Sequence, residues 1–299
     1  MVRVTPSGQA LGATIDGLEL ARPLADGHVD LIVHALARHG VVRFPRQSLS
    51  SENLRAFSAR FGDLEINVAN AYQEPGLPEV MILSNIVREG KPIGLADAGQ
   101  DWHTDMSYSA VVAFANVLYG IEIPHRSGKT LGATEFSNMH AAYDDLPADI
   151  RQRLEGMTAL HDFNKFWEKM RREKGSARPP LSPAQLAAKP PVSHPLFPTH
   201  PISGRKVLYA NPGYAVRINE LAPAESDRML QWLFTHQLRP DYRYVFHWEA
   251  GDVLMWDDIG TIHQAVADYT PQEHRLVKRC QVMATRFGGM ETWGARMTT

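Results

Sequence analysis

A series of short apolar segments after Leu64 constrains the fold of this chain more than any other feature of its sequence. The segments are rich in Val, Ile, Leu and aromatic residues, turn-forming residues separate them, and they cover residues 79–85, 110–123, 205–211, 242–248, 251–258 and 275–287. Each is typical of a β-strand. Many short strands of this kind predict a β-sandwich or barrel with helices packed outside, so we expect an α+β fold that is mainly β.

The segment before Leu64 has a different pattern and predicts a helix, a strand and a second helix. Residues 28–39 place apolar side chains at helical spacing, and Gly40 follows them. Residues 40–45 predict a short strand that ends at Pro45. Residues 51–62 carry apolar side chains at helical spacing again, with Ser51 as the expected N-cap.

The bulk composition excludes several classes of partner. A formal net charge of -2 gives no overall attraction to nucleic acid or to an anionic membrane. The most apolar stretch, residues 111–123, is too short to span a bilayer and is interrupted by Asn116 and Glu122. The N-terminal residues lack the apolar core of a secretory signal, and the one cysteine, Cys280, excludes an internal disulfide. We therefore expect no nucleic-acid or membrane partner and a cytoplasmic location.

Two segments depart from the strand pattern. Residues 66–100 show little of the sequence pattern of a helix or a strand. Residues 163–192 run from a charged helix into a proline-rich stretch. Long insertions of this kind are commonly lids or binding loops. We expect one domain over residues 1–299 with lid-like excursions at about 66–100 and 163–192. The charged face of the helix in the second excursion is expected to be solvated.

One His-x-Asp pair, His103 and Asp105, has the spacing of half a metal site. Non-haem Fe(II) is held by two histidines and one carboxylate, and residues two apart on a strand point to the same side. A similar pair at residues 28–30 falls in the predicted helix, where such residues diverge. The His-x-Glu pair at residues 247–249 is not followed by a suitable arginine pair. His103 and Asp105 are therefore the candidate ligands.

The third candidate ligand is His263, which follows an apolar strand segment and precedes two arginines. Arg275 and Arg279 are four residues apart, so a strand carries both on one face with Val277 between them. Two inward-facing guanidiniums in an apolar strand are costly unless anions pair with them. A dicarboxylate cofactor would provide those anions.

Seven segments match one known family in the order in which they occur along the chain. They are residues 11–20, 40–65, the WHTDMSY motif at 102–108, 132–147, 199–211, 248–258 and 263–279. Through them the sequence resembles the TauD/TfdA family of Fe(II)- and 2-oxoglutarate-dependent dioxygenases over nearly its whole length. The resemblance implies a double-stranded β-helix, or jelly roll, as the core.

The same resemblance assigns roles to residues. It implies His103, Asp105 and His263 as the iron ligands, and the presence of Asp105 implies hydroxylation instead of halogenation. Asp258 departs from the family, which usually has asparagine at that position. The implied cofactors are Fe(II), the co-substrate 2-oxoglutarate and O2, and the implied co-products are succinate and CO2.

The binding site for 2-oxoglutarate follows from the same resemblance. Arg275 would pair with the distal carboxylate, assisted by Thr134, for which Thr130 is the alternative. Arg279 would lie nearer the metal, beside the C1 carboxylate and an acidic group of the substrate. The planar guanidinium suits both tasks because it can meet a carboxylate with two hydrogen bonds.

The expected primary substrate is a small anionic organic molecule: a carboxylate, sulfonate, sulfate ester or aryloxyalkanoate. Tyr108, Phe163, Phe166 and Trp167 are candidates either for contact with an aromatic substrate or for core packing. Two other functions stay open at this point, a zinc-dependent hydrolase using the same three residues and a non-catalytic jelly-roll binding protein. A homo-oligomer is also compatible with the sequence.

Overall fold

The described part of the chain in the computed structural model, residues 1–66, 72–173, 176, 179–288 and 290, contains eighteen strands and seven α-helices. The helices are α1 Asp26–His39, α2 Ser51–Ser58, α3 Met139–Asp144, α4 Ala148–Leu154, α5 Phe163–Glu173, α6 Pro183–Ala188 and α7 Pro223–Gln237. The strands are β1 Arg3–Pro6, β2 Ala13–Asp16, β3 Val41–Phe44, β4 Gln73–Glu74, β5 Leu77–Ser84, β6 Val87–Arg88, β7 Lys91–Pro92, β8 Ala113–Glu122, β9 His125–Arg126, β10 Lys129–Thr130, β11 Thr134–Asn138, β12 Thr158–His161, β13 Val192–Pro195, β14 Ala215–Ile218, β15 Arg243–Phe246, β16 Val253–Asp257, β17 Thr261–Ala265 and β18 Leu276–Met283.

The largest sheet has eight strands in the order β1-β2-β3-β16-β8-β18-β5-β4. Its described pairs are antiparallel except β2 and β3, which run parallel. Strands that are distant in the chain lie side by side, as β3 does with β16 and β8 with β18. A second sheet, β15-β11-β17, is also antiparallel. These crossovers between two facing sheets confirm the predicted mainly β, jelly-roll architecture.

The central strands of the large sheet are buried on both faces, which explains their continuous apolar runs. In β16, Val253 and Met255 pack in the core on the helix side, while Leu254 and Trp256 pack on the opposite side. That opposite side meets Phe136 of β11 in the second sheet. Apolar side chains from both sheets therefore fill part of the space between them.

The predicted helix, strand and helix before Leu64 are confirmed as α1, β3 and α2. The predicted N-cap of α2, Ser51, is wrong by one residue. Ser50 caps the helix, because its hydroxyl accepts the Asn53 N–H at 3.2 Å while the Asn53 side chain accepts the Ser50 N–H at 3.1 Å. The hydroxyl of Ser51 instead accepts a hydrogen bond from Lys278.

The predicted strand at residues 205–211 is also wrong. Residues 207–210 are buried, but their backbone N–H groups bond in turn to two segments, so the pairing of this stretch with residues 196–200 is limited to an isolated bridge between Thr199 and Lys206. Val207 donates to Pro198, Leu208 to Met139 and Tyr209 to Leu196. The apolar pattern correctly predicted that these residues are buried. It does not show whether their hydrogen-bond partners all belong to one adjacent strand.

The two excursions contain more regular structure than their sequences predict. Residues 72–100 include β4 to β7, with residues 67–71 outside the described residues. Within 163–192 lie α5, α6 and the start of β13, with residues 174–175 and 177–178 outside the described residues. No described helix is both long enough and apolar enough to cross a membrane.

Candidate active site

A cavity opens between the two sheets and beneath helix α5. The large sheet contributes Met81, Leu118, Trp256 and Arg279, the second sheet contributes Thr134 and His263, and α5 contributes Phe163, Phe166 and Trp167. All three predicted metal ligands and both predicted arginines line it. The fold therefore brings together residues that are widely separated in the chain.

His103 and His263 are joined by a two-residue antiparallel bridge. The His103 N–H donates to the His263 carbonyl at 3.0 Å, and the His263 N–H donates to the His103 carbonyl at 2.8 Å. Such a pair places the two side chains on the same face of the ladder, and the ring centroids are 4.3 Å apart. The bridge on β17 thus fixes the separation of the two imidazoles.

Asp105 reaches the two imidazoles from a turn. The strand expected at the His-x-Asp motif is limited to the bridge at His103, and residues 105–108 form a turn in which Met106 has a φ of 57°. Such a φ is uncommon outside glycine and signals a backbone held by its surroundings. The hydroxyl of Thr104 anchors the turn by donating to the carbonyl of Asp258 at 2.5 Å.

The three candidate ligands converge on one point. His103 Nε2 lies 3.6 Å from Asp105 Oδ1, and His263 Nε2 lies 3.9 Å from Asp105 Oδ2. One ligand atom of each residue lies within 4.8 Å of the other two, and the three side chains are nearly buried. Two imidazoles and one carboxylate form the donor set of non-haem iron sites.

The protonation states of this cluster also fit a metal ion. Burial, then the charge of His103, holds the pKa of His263 well below its usual range, so its imidazole is neutral. Burial acts to raise the pKa of Asp105, but the charge of Arg279 and the hydrogen bond with His103 outweigh it and the pKa is lowered. A metal-binding imidazole must be neutral and a metal-binding carboxylate ionised, which is the state that these surroundings favour for His263 and Asp105.

Three further buried residues, Asn116, Trp256 and Asp258, lie around the ligands. The spacing of residue types in the sequence did not identify them. Asn116 Nδ2 donates to Asp105 Oδ2 and to Asp258 Oδ2, each at 2.8 Å. Trp256 Nε1 donates to Asp258 Oδ1 at 3.1 Å. Burial, then the charge of Asp105, raises the pKa of Asp258 well above its usual range. The interruption of an apolar run by Asn116 was the sequence signal for this network.

Arg275 is a buried cation without a described anionic partner. Its side chain is almost fully enclosed, its Nε has no hydrogen-bond partner, and no carboxylate among the described residues pairs with it. Burial lowers the pKa of this guanidinium. Gly132, with a φ of +72°, makes room for it, because a Cβ there would lie 2.8 Å from Arg275 Nε. Such a cation needs an anion in the cavity.

Arg279 and Thr134 complete the polar part of the cavity. Arg279 Nη1 donates to Asp105 Oδ2 at 3.2 Å. The hydroxyl of Thr134 accepts the Trp248 indole N–H at 3.0 Å, which leaves its own proton available for an acceptor in the cavity. Thr130 lies on the separate β9-β10 hairpin, and it is not among the residues that line the cavity. This placement favours Thr134 over Thr130.

Aromatic side chains form another part of the cavity wall. Tyr108 packs against Phe163 and Tyr214, both with ring centroids at 4.7 Å, and Phe166 lies 5.1 Å from the ring of His103. Helix α5 is therefore only partly solvated: Phe166 and Met170 are buried beneath it. The ion pair of Lys169 with Asp101 connects this helix to the loop that precedes His103.

A second buried cluster contains His140, His200 and Asp257, whose ligand atoms also lie within 4.8 Å of one another. His200 Nδ1 accepts the backbone N–H groups of Ser203 at 3.0 Å and Ile202 at 3.3 Å. An Nδ1 that accepts these hydrogen bonds leaves the ring proton on Nε2, which lies 3.1 Å from Asp257 Oδ2. Because a metal would need a lone pair at that nitrogen, this arrangement favours a His200–Asp257 pair over a second metal centre.

Comparison with known proteins shows a match over nearly the whole chain. Residues 3–281 match the family model described as "Taurine catabolism dioxygenase TauD, TfdA family". Pentalenolactone F synthase of Streptomyces avermitilis is 34% identical over 284 residues, which cover 91% of this chain and 90% of that protein. The alpha-ketoglutarate-dependent 2,4-dichlorophenoxyacetate dioxygenase of a Burkholderia species is 31% identical over 283 residues, covering 91% of each chain. A crystal structure of a taurine dioxygenase from Burkholderia xenovorans superposes with a TM-score of 0.76 at 30% identity, covering 94% of this chain and 89% of that one.

Proposed function

This chain belongs to the TauD/TfdA family of dioxygenases, and from that membership we propose how its buried site works. The protein is an Fe(II)- and 2-oxoglutarate-dependent dioxygenase. The chemistry that iron and 2-oxoglutarate supply when bound is the conversion of a substrate C–H to C–OH by O2, with 2-oxoglutarate converted to succinate and CO2. The observation that carries the proposal is the convergence of His103, Asp105 and His263 in the cavity that also contains the unpaired Arg275.

In this proposal His103, Asp105 and His263 hold the iron through the atoms that face one another across the cluster. Two imidazoles and one carboxylate are the donor set of such iron sites, and this set would leave positions on the ion for the co-substrate and oxygen. The backbone bridge between the histidines holds them side by side. The chain therefore supplies a preorganised site.

Arg275 and Thr134 bind the distal carboxylate of 2-oxoglutarate. The guanidinium donates two parallel hydrogen bonds and gains the anionic partner that its burial requires. The hydroxyl of Thr134 donates a third hydrogen bond while Trp248 fixes its direction. Arg279, beside Asp105, faces the carboxylate end of the co-substrate nearest the ligands.

The primary substrate is a small organic anion with an apolar body. The cavity has a cationic and metal-binding end and an aromatic wall made by Tyr108, Phe163 and Phe166. The names of the relatives include an aryloxyacetate and taurine as substrates. A carboxylate, sulfonate, sulfate ester or aryloxyalkanoate fits this combination, and the aromatic wall favours a substrate with a ring.

The excursion that contains α5 is proposed to act as a lid over this cavity. Phe163, Phe166 and Trp167 of α5 line the cavity, so the helix excludes water from the reacting carbon when the substrate is bound. A single domain, a cytoplasmic location and a homo-oligomeric state stay predictions from the sequence.

The experiment is a turnover assay on the purified protein with Fe(II), 2-oxoglutarate and O2 over a panel of aryloxy acids, sulfonates and alkyl sulfates. We expect succinate to form in proportion to hydroxylated product, with both lost in Asp105→Ala and His263→Ala. Anaerobic addition of Fe(II) and 2-oxoglutarate should give the visible charge-transfer band of the iron complex in the wild type alone. Absence of that band and of succinate across the panel would overturn the proposal, and hydrolysis with zinc alone would support the hydrolase alternative.

A further inference from the structure

We propose that Asp258 positions His263 for metal binding by accepting the N–H of its Nδ1, a role that rests on the proposed iron site. Asp258 is fully buried in the turn between β16 and β17, and His263 lies on β17. Asp258 Oδ1 lies 4.0 Å from His263 Nδ1. A hydrogen bond there fixes the tautomer whose lone pair on Nε2 faces the metal.

His263 lacks a described partner for Nδ1 while its other nitrogen faces the cluster. Nε2 lies 3.9 Å from Asp105 Oδ2, whereas Nδ1 is buried and has no hydrogen-bond partner in the described part of the chain. Metal-bound histidines almost always donate the second ring N–H to a carboxylate, a carbonyl or water. A shift of about 1 Å brings Asp258 Oδ1 to hydrogen-bonding distance.

Asn116 connects the same carboxylate to a second metal ligand. Its Nδ2 carries two hydrogens and donates one to Asp258 Oδ2 and one to Asp105 Oδ2, each at 2.8 Å. The hydroxyl of Thr104 donates to the backbone carbonyl of Asp258. One buried residue is therefore linked to the His-x-Asp turn and, through its side chain, to both Asp105 and His263.

The geometry favours a carboxylate over an amide at position 258. Trp256 and Asn116 each donate an N–H to this side chain, and His263 Nδ1 lies 4.0 Å from its Oδ1 as the third donor in this inference. A carboxylate accepts all three on two oxygens, whereas an amide has one oxygen and directs its own N–H groups at a donor. His103 differs, because its Nδ1 lies 2.7 Å from the backbone carbonyl of Asp101. The two imidazoles thus differ in their acceptors, a side-chain carboxyl group for His263 and a backbone carbonyl for His103.

The test replaces the carboxylate and observes the two histidines separately in the cobalt-loaded protein. Proton NMR of the Co(II) form should show two exchangeable, hyperfine-shifted resonances, from the Nδ1–H groups of His103 and His263. The His103 resonance is assigned as the one that remains in His263→Gln. In Asp258→Asn the His263 resonance should shift or disappear into solvent exchange while that of His103 is unchanged, and the Kd for Co(II) should rise 10–100-fold.

Asp252→Asn is the matched control. Asp252 is equally buried and ionically paired with Arg43, but it touches none of the candidate ligands. This variant should keep both resonances and a Kd within about twofold of the wild type. An Asp258→Asn protein with both resonances and its Kd unchanged would overturn the inference. A wild-type protein that binds Co(II) with no histidine resonances would overturn the proposed iron site instead.

A second measurement needs no variant at position 258 and covers the case in which Asp258→Asn does not fold. In wild-type Co(II) protein transferred to D2O, a buried Nδ1–H bonded to a carboxylate exchanges slowly. We expect the His263 resonance to persist at least as long as that of His103. Immediate loss of the His263 resonance alone would show that Asp258 does not accept its proton.

Discussion

His103 and His263 each donate a backbone N–H to the carbonyl of the other, at 3.0 and 2.8 Å. The two imidazoles are therefore fixed by the backbone and not by side-chain packing alone. Because backbone hydrogen bonds form this bridge, removing the metal should leave the separation of the two rings largely unchanged.

Replacing Arg275 with methionine should have opposite effects on binding and on stability. The Kd for 2-oxoglutarate should rise about 30-fold or more, because truncating one partner of a buried charge pair costs about 2 kcal/mol or more. The ligand-free protein should unfold at the same or a higher urea concentration, because a buried unpaired cation is removed. Titration of the Fe(II) protein with 2-oxoglutarate and urea unfolding measure the two effects.

Arg126→Met is the control for that variant. Arg126 pairs with Glu273 on an exposed surface close to the same loop. Its loss should change neither quantity beyond about twofold in Kd and 1 kcal/mol in stability. An Arg275→Met protein that binds 2-oxoglutarate normally would exclude this residue as the carboxylate partner.

Valine at position 134 should weaken 2-oxoglutarate binding, and valine at position 130 should not. A hydrogen bond to a charged group contributes about 1.5–3 kcal/mol, so Thr134→Val should raise the Kd about tenfold or more. Thr130→Val should remain within about twofold of the wild type, because that residue does not line the cavity. Thr134→Ser keeps the hydroxyl and should restore binding. The reverse pattern would assign the role to Thr130.

Truncating the aromatic wall should affect substrates according to their size. Phe163→Ala should raise the KM for an aryloxy acid about tenfold, because burial of a ring contributes roughly 1.5–3 kcal/mol. The KM for a short alkyl sulfonate and the Kd for 2-oxoglutarate should stay unchanged, since neither reaches the ring of Phe163. Equal effects on both classes of substrate would place Phe163 in the core packing instead of the substrate site.

The stability of the metal-free protein should fall in mild acid because of His140. Burial, then the charge of His200, lowers the pKa of His140 to about 4. The unfolded chain binds this proton near pH 6.5, so stability is full above that pH and is lost as pH falls towards 4, by up to about 1.4 kcal/mol per pH unit. Urea unfolding in EDTA between pH 7.5 and 4.5 measures the slope.

His140→Gln is the comparison for this pH dependence. Glutamine does not titrate, and its amide can still donate to the Lys206 carbonyl that His140 contacts. Below pH 6.5 the number of protons taken up on unfolding sets the slope of stability against pH. In this variant that number should decrease by up to one. An unchanged slope would assign the acid sensitivity to other groups. The first to examine is His263, which is also buried and has a lowered pKa.

The sequence located the residues that the fold brings together, but for reasons that were partly wrong. The motif of His103 and Asp105 was interpreted as part of a strand, but an isolated bridge to His263 followed by a turn produces the same convergence. The types of residue and their spacing along the chain can be read directly from the sequence. They were sufficient to identify His263, Arg275 and Arg279 as candidates. The positive φ of Met106 depends on contacts with residues distant in the chain. The sequence around Met106 does not predict those contacts.

The residues around the ligands were harder to predict. Asn116 was visible as a polar interruption of an apolar strand, and Asp258 as a departure from the family pattern. Their connection depends on β8 pairing with β16, where Asn116 lies opposite Trp256. Such register is set by the whole sheet, and a single sequence does not specify which strands become neighbours. The same limit explains the wrong strand at residues 205–211.

The bridge between the two histidines has a consequence for biosynthesis. His263 and both arginines lie on or beside β17 and β18, which the ribosome makes after every other strand described here. A nascent chain therefore carries His103 and Asp105 for most of its synthesis without the groups that complete the iron site. The complete iron site can therefore form only once β17 has been synthesised, when the other strands of the large sheet, apart from β18, are already present in the chain.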